Sequence, residues 1–156
     1  MIENQKAEGR RQKAFTLVEL LVVIAILGIL MSLVTAGAQS ARRRAAVTKA
    51  KTMIASLETA IAMYQADLGT YPPTGNQELV KALSEASDDP DWMGPYQEFK
   101  QDELVNGELV DSWGIPYVYV SIKGGSPEHR DRSYDLSSFG PNKVDDDGTQ
   151  DDIFNW

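Results

Sequence analysis

From Leu17 to Ala38 the chain carries only three side chains of marked polarity, Glu19, Ser32 and Thr35. About 20 helical residues reach across the ~30 Å hydrocarbon of a bilayer, so this run predicts a membrane-spanning helix. A carboxylate inside such a helix costs roughly 2.5–3.5 kcal/mol on insertion scales, and Glu19 therefore calls for a partner. Two plainer readings compete: a cleaved secretory signal and a simple signal anchor. A secretory apolar region runs to about 7–15 residues and ends at a small-residue site. Ala36-Gly37-Ala38-Gln39 offers such a site. Neither reading gains anything from a buried acid. Basic residues lie on both sides, at Lys6, Arg10, Arg11 and Lys13 and at Arg42-Arg43-Arg44, so flanking charge alone does not orient the helix.

The helical pattern does not stop at the end of the apolar run. Val47, Ala50, Ile54, Leu57, Ile61, Tyr64 and Leu68 recur at alternating steps of three and four, a seven-residue repeat on one face. Lys49, Lys51, Glu58, Gln65 and Asp67 occupy the other face. Three heptads are short for a free coiled coil, so the stripe predicts packing onto a small globular domain. Gly69, Pro72 and Pro73 end the helix. The expectation is one helix over about 15–68: residues 15–38 for the membrane, 39–68 as the spine of a head. The arginine triplet reads as a solvated face or interfacial anchor, with an acidic neighbour as the sharper alternative.

Beyond the spine, Gln77–Leu83 reads as a short helix, about 76–86, with Leu79, Val80 and Leu83 inward. Thr74 and Gln77 stand at capping-box spacing. Asn106-Gly107 between Leu104-Val105 and Leu109-Val110 predicts a hairpin. Pro116–Ile122 and Ser133–Phe139 alternate as strands, parted by Gly124-Gly125-Ser126-Pro127. An α+β fold follows, with the helix packed on a small antiparallel sheet formed from strands at about 104–139.

Composition narrows the chemistry. Without cysteine there is neither a disulfide nor a thiolate metal site, and His129 is the only histidine. Glu85–Trp156 holds 17 acidic and 5 basic residues. That surface repels nucleic acid and attracts cations. No serine has a plausible activating partner, and a run of like carboxylates lacks the contrasting environments of an acid–base pair, so no enzyme is expected. Asp145-Asp146-Asp147 and Asp151-Asp152 crowd five carboxylates into a loop over about 140–153 that also contains Gly148. Such a run is often a disordered tail. Ile153, Phe154 and Trp156 follow it as anchors, however, and oxygen-rich irregular loops suit Ca²⁺.

The order of motifs carries a resemblance. Lys13-Ala14-Phe15-Thr16-Leu17-Val18-Glu19 resembles the class III signal of type IV pilins and type II secretion pseudopilins. Further along stand Gly69-Thr70-Tyr71-Pro72, Gly94-Pro95-Tyr96, Asp111-Ser112-Trp113-Gly114-Ile115-Pro116-Tyr117 and Ser138-Phe139-Gly140-Pro141-Asn142, with Asn155-Trp156 closing the acidic loop. In this order they resemble the major pseudopilin family of type II secretion and cover nearly all of the chain after the leader.

The resemblance implies a type IV pilin-like fold. Residues 1–14 would be a leader cut by prepilin peptidase between Ala14 and Phe15, with N-methylation of Phe15. It places residues 15–38 in the bacterial inner membrane as a single span and 39–156 in the periplasm. Glu19 would then meet the terminal amine of a neighbouring subunit during assembly. The implied partners are copies of itself, minor pseudopilins, prepilin peptidase, the inner-membrane secretion platform and lipid before assembly. The implied calcium ligands are the Phe139 carbonyl, Asn142 and Asp151 or its neighbour Asp152. Asn142 stands where the family usually has Asp, so Asp145 or Asp147 is expected to make up the missing charge. Ala14 replaces the usual Gly before the cut, and Ala36 stands where the family often has Pro. The expected role is a structural subunit of a fibre that drives export of folded proteins. The competing role is a type IV pilus pilin or a minor pilin-like subunit for adhesion, motility or DNA uptake.

Overall fold

The computed structural model describes residues 15–156, with the side chains of 33–37 excepted. The chain divides into two units, one ending at Ser40 and one covering Ala41–Trp156. The leader, Ala14 included, lies outside the described residues.

The first unit contains the opening of helix α1, Leu17–Leu68. Leu17, Val18, Leu20, Leu21, Ile24, Leu27, Ile29 and Met31 are all exposed, Leu17 by 82%. Ser32 turns its hydroxyl back to the Ile29 carbonyl at 2.7 Å, which satisfies it within the helix. Among the described residues no helix is long and apolar enough to cross a membrane. The apolar stretch with described side chains, 17–32, is shorter than the ~20 residues a span takes.

In the second unit α1 is a spine. Ala50, Ile54, Leu57, Ile61 and Tyr64 are buried, as the repeat predicts, while Val47 and Leu68 are partly buried at its ends. Ala60 is also buried and Met53 packs against the core, so the stripe is wider than a strict heptad seam. Gly69, at φ +67°, ends the helix by donating its N–H to the Gln65 carbonyl at 2.9 Å. That left-handed conformation suits glycine.

Helix α2, Asn76–Ser84, presents Leu79, Val80 and Leu83 to the core and stops two residues short of expectation. The expected capping box does not form. Gly75 is the N-cap residue, and Thr74 is committed elsewhere. Its Oγ1 donates to the Ser121 carbonyl and accepts the Ser121 N–H, both at 2.9 Å. Asn76 joins three segments: its Nδ2 donates to the Leu109 and Tyr117 carbonyls at 2.9 and 2.7 Å, and its Oδ1 accepts the Leu109 N–H at 2.7 Å.

Five short strands form two sheets rather than one. Strands β1 (Leu104–Val105) and β2 (Glu108–Leu109) make the hairpin, with Asn106 and Gly107 both at positive φ as a two-residue turn requires. Strands β3 (Val118–Ser121), β4 (Tyr134–Ser138) and β5 (Ile153–Phe154) form an antiparallel sheet in that order. β5 is absent from the sequence reading; Ser138 lies opposite Ile153. Pro116 is not in the strand expected to include it, but makes an isolated bridge with Val110. Tyr117, Tyr119, Tyr134, Leu136 and Ile153 close the core over the spine.

Candidate functional site

Two regions carry the predicted functional residues. The first is the start of α1, where Phe15 is 78% exposed. Thr16 and Glu19 form a reciprocal cap. Glu19 Oε2 accepts both the backbone N–H and the hydroxyl of Thr16 at 2.9 Å, while Thr16 Oγ1 accepts the Glu19 N–H at 3.3 Å. This satisfies donors that a helix start leaves open, and sets a carboxylate at the positive end of the helix dipole. The subunit on its own thus supplies partners to the one acid of its apolar segment.

The second region is the acidic loop. Asn142 and Asp151 meet directly, with the Asn142 N–H donating to Asp151 Oδ2 at 2.9 Å. Asp152 Oδ2 accepts the N–H groups of Asp146 and Gly148 at 2.9 and 3.1 Å. Its other oxygen, Oδ1, is buried with no hydrogen-bond partner. Asp145 makes a local turn onto the Asp147 N–H at 3.1 Å. The Asp147 carboxylate is engaged by His129 Nε2 at 3.3 Å. Phe139 lies one residue past β4, half-buried.

The structure therefore gathers Asn142, Asp151 and Asp152 around one loop and turns Asp147 to another neighbour. Among the described residues, Glu128, His129 and Asp147 are the group of acidic and histidine side chains close enough to share one ion, with donor atoms within 4.8 Å. The loop aspartates make no such cluster with one another.

Calcium chemistry suits the loop on two observations. A carboxylate oxygen buried without a donor, Asp152 Oδ1, is the kind of group a cation satisfies. Gly140, at φ +65°, lets the chain pass so close to the Asp151 carbonyl that any Cβ would collide with it. The donors at hand are carboxylates, an amide oxygen and carbonyls, all hard oxygen.

Sequence reasoning gave no individual role to three acids. Asp146 accepts the Asn142 side-chain amide at 2.6 Å and that of Gln150 at 2.9 Å. Asp135, buried at 8% exposure, accepts the backbone N–H groups of Glu128, His129 and Arg130 at 2.7–2.9 Å. Asp111, 7% exposed, accepts those of Trp113 and Ile115 and the hydroxyl of Ser138. The Asp-x-Trp-Gly motif was the signal for Asp111: a short acid before a glycine turn is a natural collector of loop amides. Trp156 stacks on His129 with ring centroids 4.0 Å apart, and on Phe154 at 4.7 Å.

An N-terminal apolar helix with a capped acid, continuing as the spine of a small α+β head, defines a pilin-like subunit. The family described as "Type II secretion system (T2SS), protein G" matches residues 38–156, and the prokaryotic N-terminal methylation motif matches residues 9–35. Similar proteins include the type II secretion system core protein G of Escherichia coli K12, 38% identical over 94% of this chain and 92% of its own length. That of Pseudomonas aeruginosa is 35% identical over 96% and 98%, and that of Dickeya chrysanthemi 35% over 94% and 88%. A solved structure, the major pseudopilin from the type 2 secretion system of enterohaemorrhagic E. coli, aligns with 27% identity over 76% of this chain and 92% of its own, at a TM-score of 0.45. The chain belongs to the protein G family of type II secretion.

Proposed function

We propose that this chain is the major structural subunit of a periplasmic pseudopilus, with no catalytic role of its own. Residues 15–38 hold the precursor in the inner membrane as a single span, the leader inside and the head in the periplasm. Prepilin peptidase cuts between Ala14 and Phe15, and Phe15 is N-methylated. The subunit then leaves the bilayer to stack with its own copies and with minor pseudopilins on the inner-membrane secretion platform. Growth of the fibre pushes folded proteins outward.

One observation carries this reading: the exposed apolar surface from Leu17 to Met31, led by a lone carboxylate. Such a surface is untenable in water and must be covered, by lipid first and by sister helices afterwards. Glu19 suits both states. Its own Thr16 serves it in the monomer, and the new ammonium at Phe15 of a neighbour serves it in the fibre. Membership of the type II secretion family favours a secretion fibre over a pilus for adhesion or DNA uptake.

Ca²⁺ is the proposed structural ion of the head, with Asn142, Asp151 and Asp152 as its side-chain ligands and the Phe139 carbonyl beside them. It would neutralise a self-repelling loop and fasten β5 to β4. The Asp147 carboxylate, paired with His129, is the weakest of the expected ligands.

The deciding measurement is the intact mass of the protein from native membranes, with and without prepilin peptidase. A chain starting at methylated Phe15 supports the fibre reading. A start at Met1 in both samples, or near Gln39, sinks it.

A further inference from the structure

We propose that Arg42, Arg43 and Arg44 form a clamp for anionic phospholipid in the outer leaflet of the membrane that holds the precursor. The inference rests on the membrane placement of residues 15–38 proposed above.

Consecutive helical residues step by about 100°, so three arginines cover about 200° of the circumference and make a collar rather than a stripe. All three are exposed, and none takes part in any salt bridge among the described residues. The contrast with Lys49 is instructive, since it is paired with Glu103 at 3.8 Å. The head carries 17 acids between Glu85 and Trp156, yet among the described residues none of them forms an ion pair with the triplet.

Position and shape favour a lipid. Only Gln39, Ser40 and Ala41 separate Ala38 from Arg42, about 6 Å of helical rise. That matches the headgroup layer, which adds roughly 5–7 Å to each side of the hydrocarbon. Arg43 and Arg44 border a shallow cleft of about 370 Å³ with Val47 and Thr48. Guanidinium and hydroxyl groups supply donors for a phosphate, Arg with a fork matched to its oxygens, and Val47 gives the glycerol end an apolar wall. An acidic headgroup is thereby favoured over zwitterionic choline, and the preference weakens as salt screens it.

The test uses the full chain reconstituted in phosphatidylcholine vesicles containing 20% phosphatidylglycerol, with spin-labelled phosphatidylglycerol or phosphatidylcholine as the probe. The expected result at low salt is a preference of about three- to tenfold for the labelled anionic lipid. It should fall by at least half in R42Q/R43Q/R44Q and be largely kept in R42K/R43K/R44K. The remainder in the Gln variant belongs to the basic leader. An unchanged preference in the Gln variant overturns the clamp. So does an unchanged preference accompanied by lower self-association, which would assign the collar to the acidic surface of a second copy. Failure of the wild-type chain to float with the vesicles would sink the membrane reading itself, and the clamp with it.

Discussion

Thr16 and Glu19 satisfy each other across one helical turn, through three hydrogen bonds of 2.9, 2.9 and 3.3 Å. A carboxylate held this way can wait in an apolar segment until a neighbour's ammonium replaces the local donors. In the fibre reading, Glu19→Gln should leave the amount of membrane-held precursor unchanged and reduce sheared fibre by about tenfold or more, since losing one partner of a buried pair costs about 3–5 kcal/mol. Thr16→Val should leave a milder defect. Immunoblots of membrane and sheared fractions decide it, and wild-type fibre levels in Glu19→Gln would remove the acid from assembly.

The spine depends on side chains that have no room to relax. Leu57 and Leu136 are both fully buried in the same cluster. Leu57→Ala or Leu136→Ala should cost about 2–5 kcal/mol. Urea unfolding of the full chain in detergent would show this as an earlier midpoint with an unchanged slope.

Asn76 fastens α2 to β2 and to the residue preceding β3 through three hydrogen bonds, and Asn76→Ala leaves the Leu109 N–H and two carbonyls short of a partner. The expected cost is about 1–3 kcal/mol for the stranded groups. Hydrogen exchange should locate the loss at Leu109, with α1 amides between 50 and 64 little changed.

Alkaline titration should reveal the buried phenols. Burial pushes Tyr134 up to about 12, with Glu58 adding to the effect and Arg130 opposing it. Burial likewise raises Tyr117 and Tyr119. A group whose folded pKa is raised stabilises fully below its unfolded value and loses that contribution as pH climbs through the folded one. The fold should thus be indifferent to these groups up to about pH 10 and lose stability from there toward pH 12. Phenolate absorbance rising together with loss of ellipticity is the expected signature. Full tyrosine ionisation by pH 10.5 in a folded chain would contradict it.

Calcium should raise the melting temperature of the wild-type chain, and a chelator should reverse the rise. Saturation at 100 times Kd corresponds to about 2.7 kcal/mol. Asp152→Asn and Gly140→Ala should abolish the response, whereas Asp147→Asn should keep it. Identical melting in calcium and chelator would leave the loop metal-free.

Much of the architecture was legible because its signals are periodic. The three-and-four spacing from Val47 to Leu68 marked the buried face of the spine, and Asn106-Gly107 marked the hairpin. What failed was local chemistry decided by distant chain. Thr74 has the spacing of a helix cap, but Ser121, far along the sequence, takes its hydroxyl. Ile153-Phe154 is too short to read as a strand until β4 offers an edge. The role of Asp135 depends on three amides that converge only when residues 128–130 turn. The loop acids could be recognised as a group, but the partner of each depends on the turns at Asp147, Gly148 and Gln150, all at positive φ.

The separation between the spine and its cover has a temporal side. Leu57 is made long before its core partner Leu136, 79 residues later. At 5–20 residues per second, about 4–16 s pass before the ribosome supplies that lid. During that interval the Val47–Leu68 stripe has only Leu79, Val80 and Leu83 of α2, and then Leu109, to cover it, so a nascent subunit still exposes apolar surface that another chain can bind. Spacing between translating chains, or a holding chaperone, then matters as much to the yield of competent subunits as the final stability of the head.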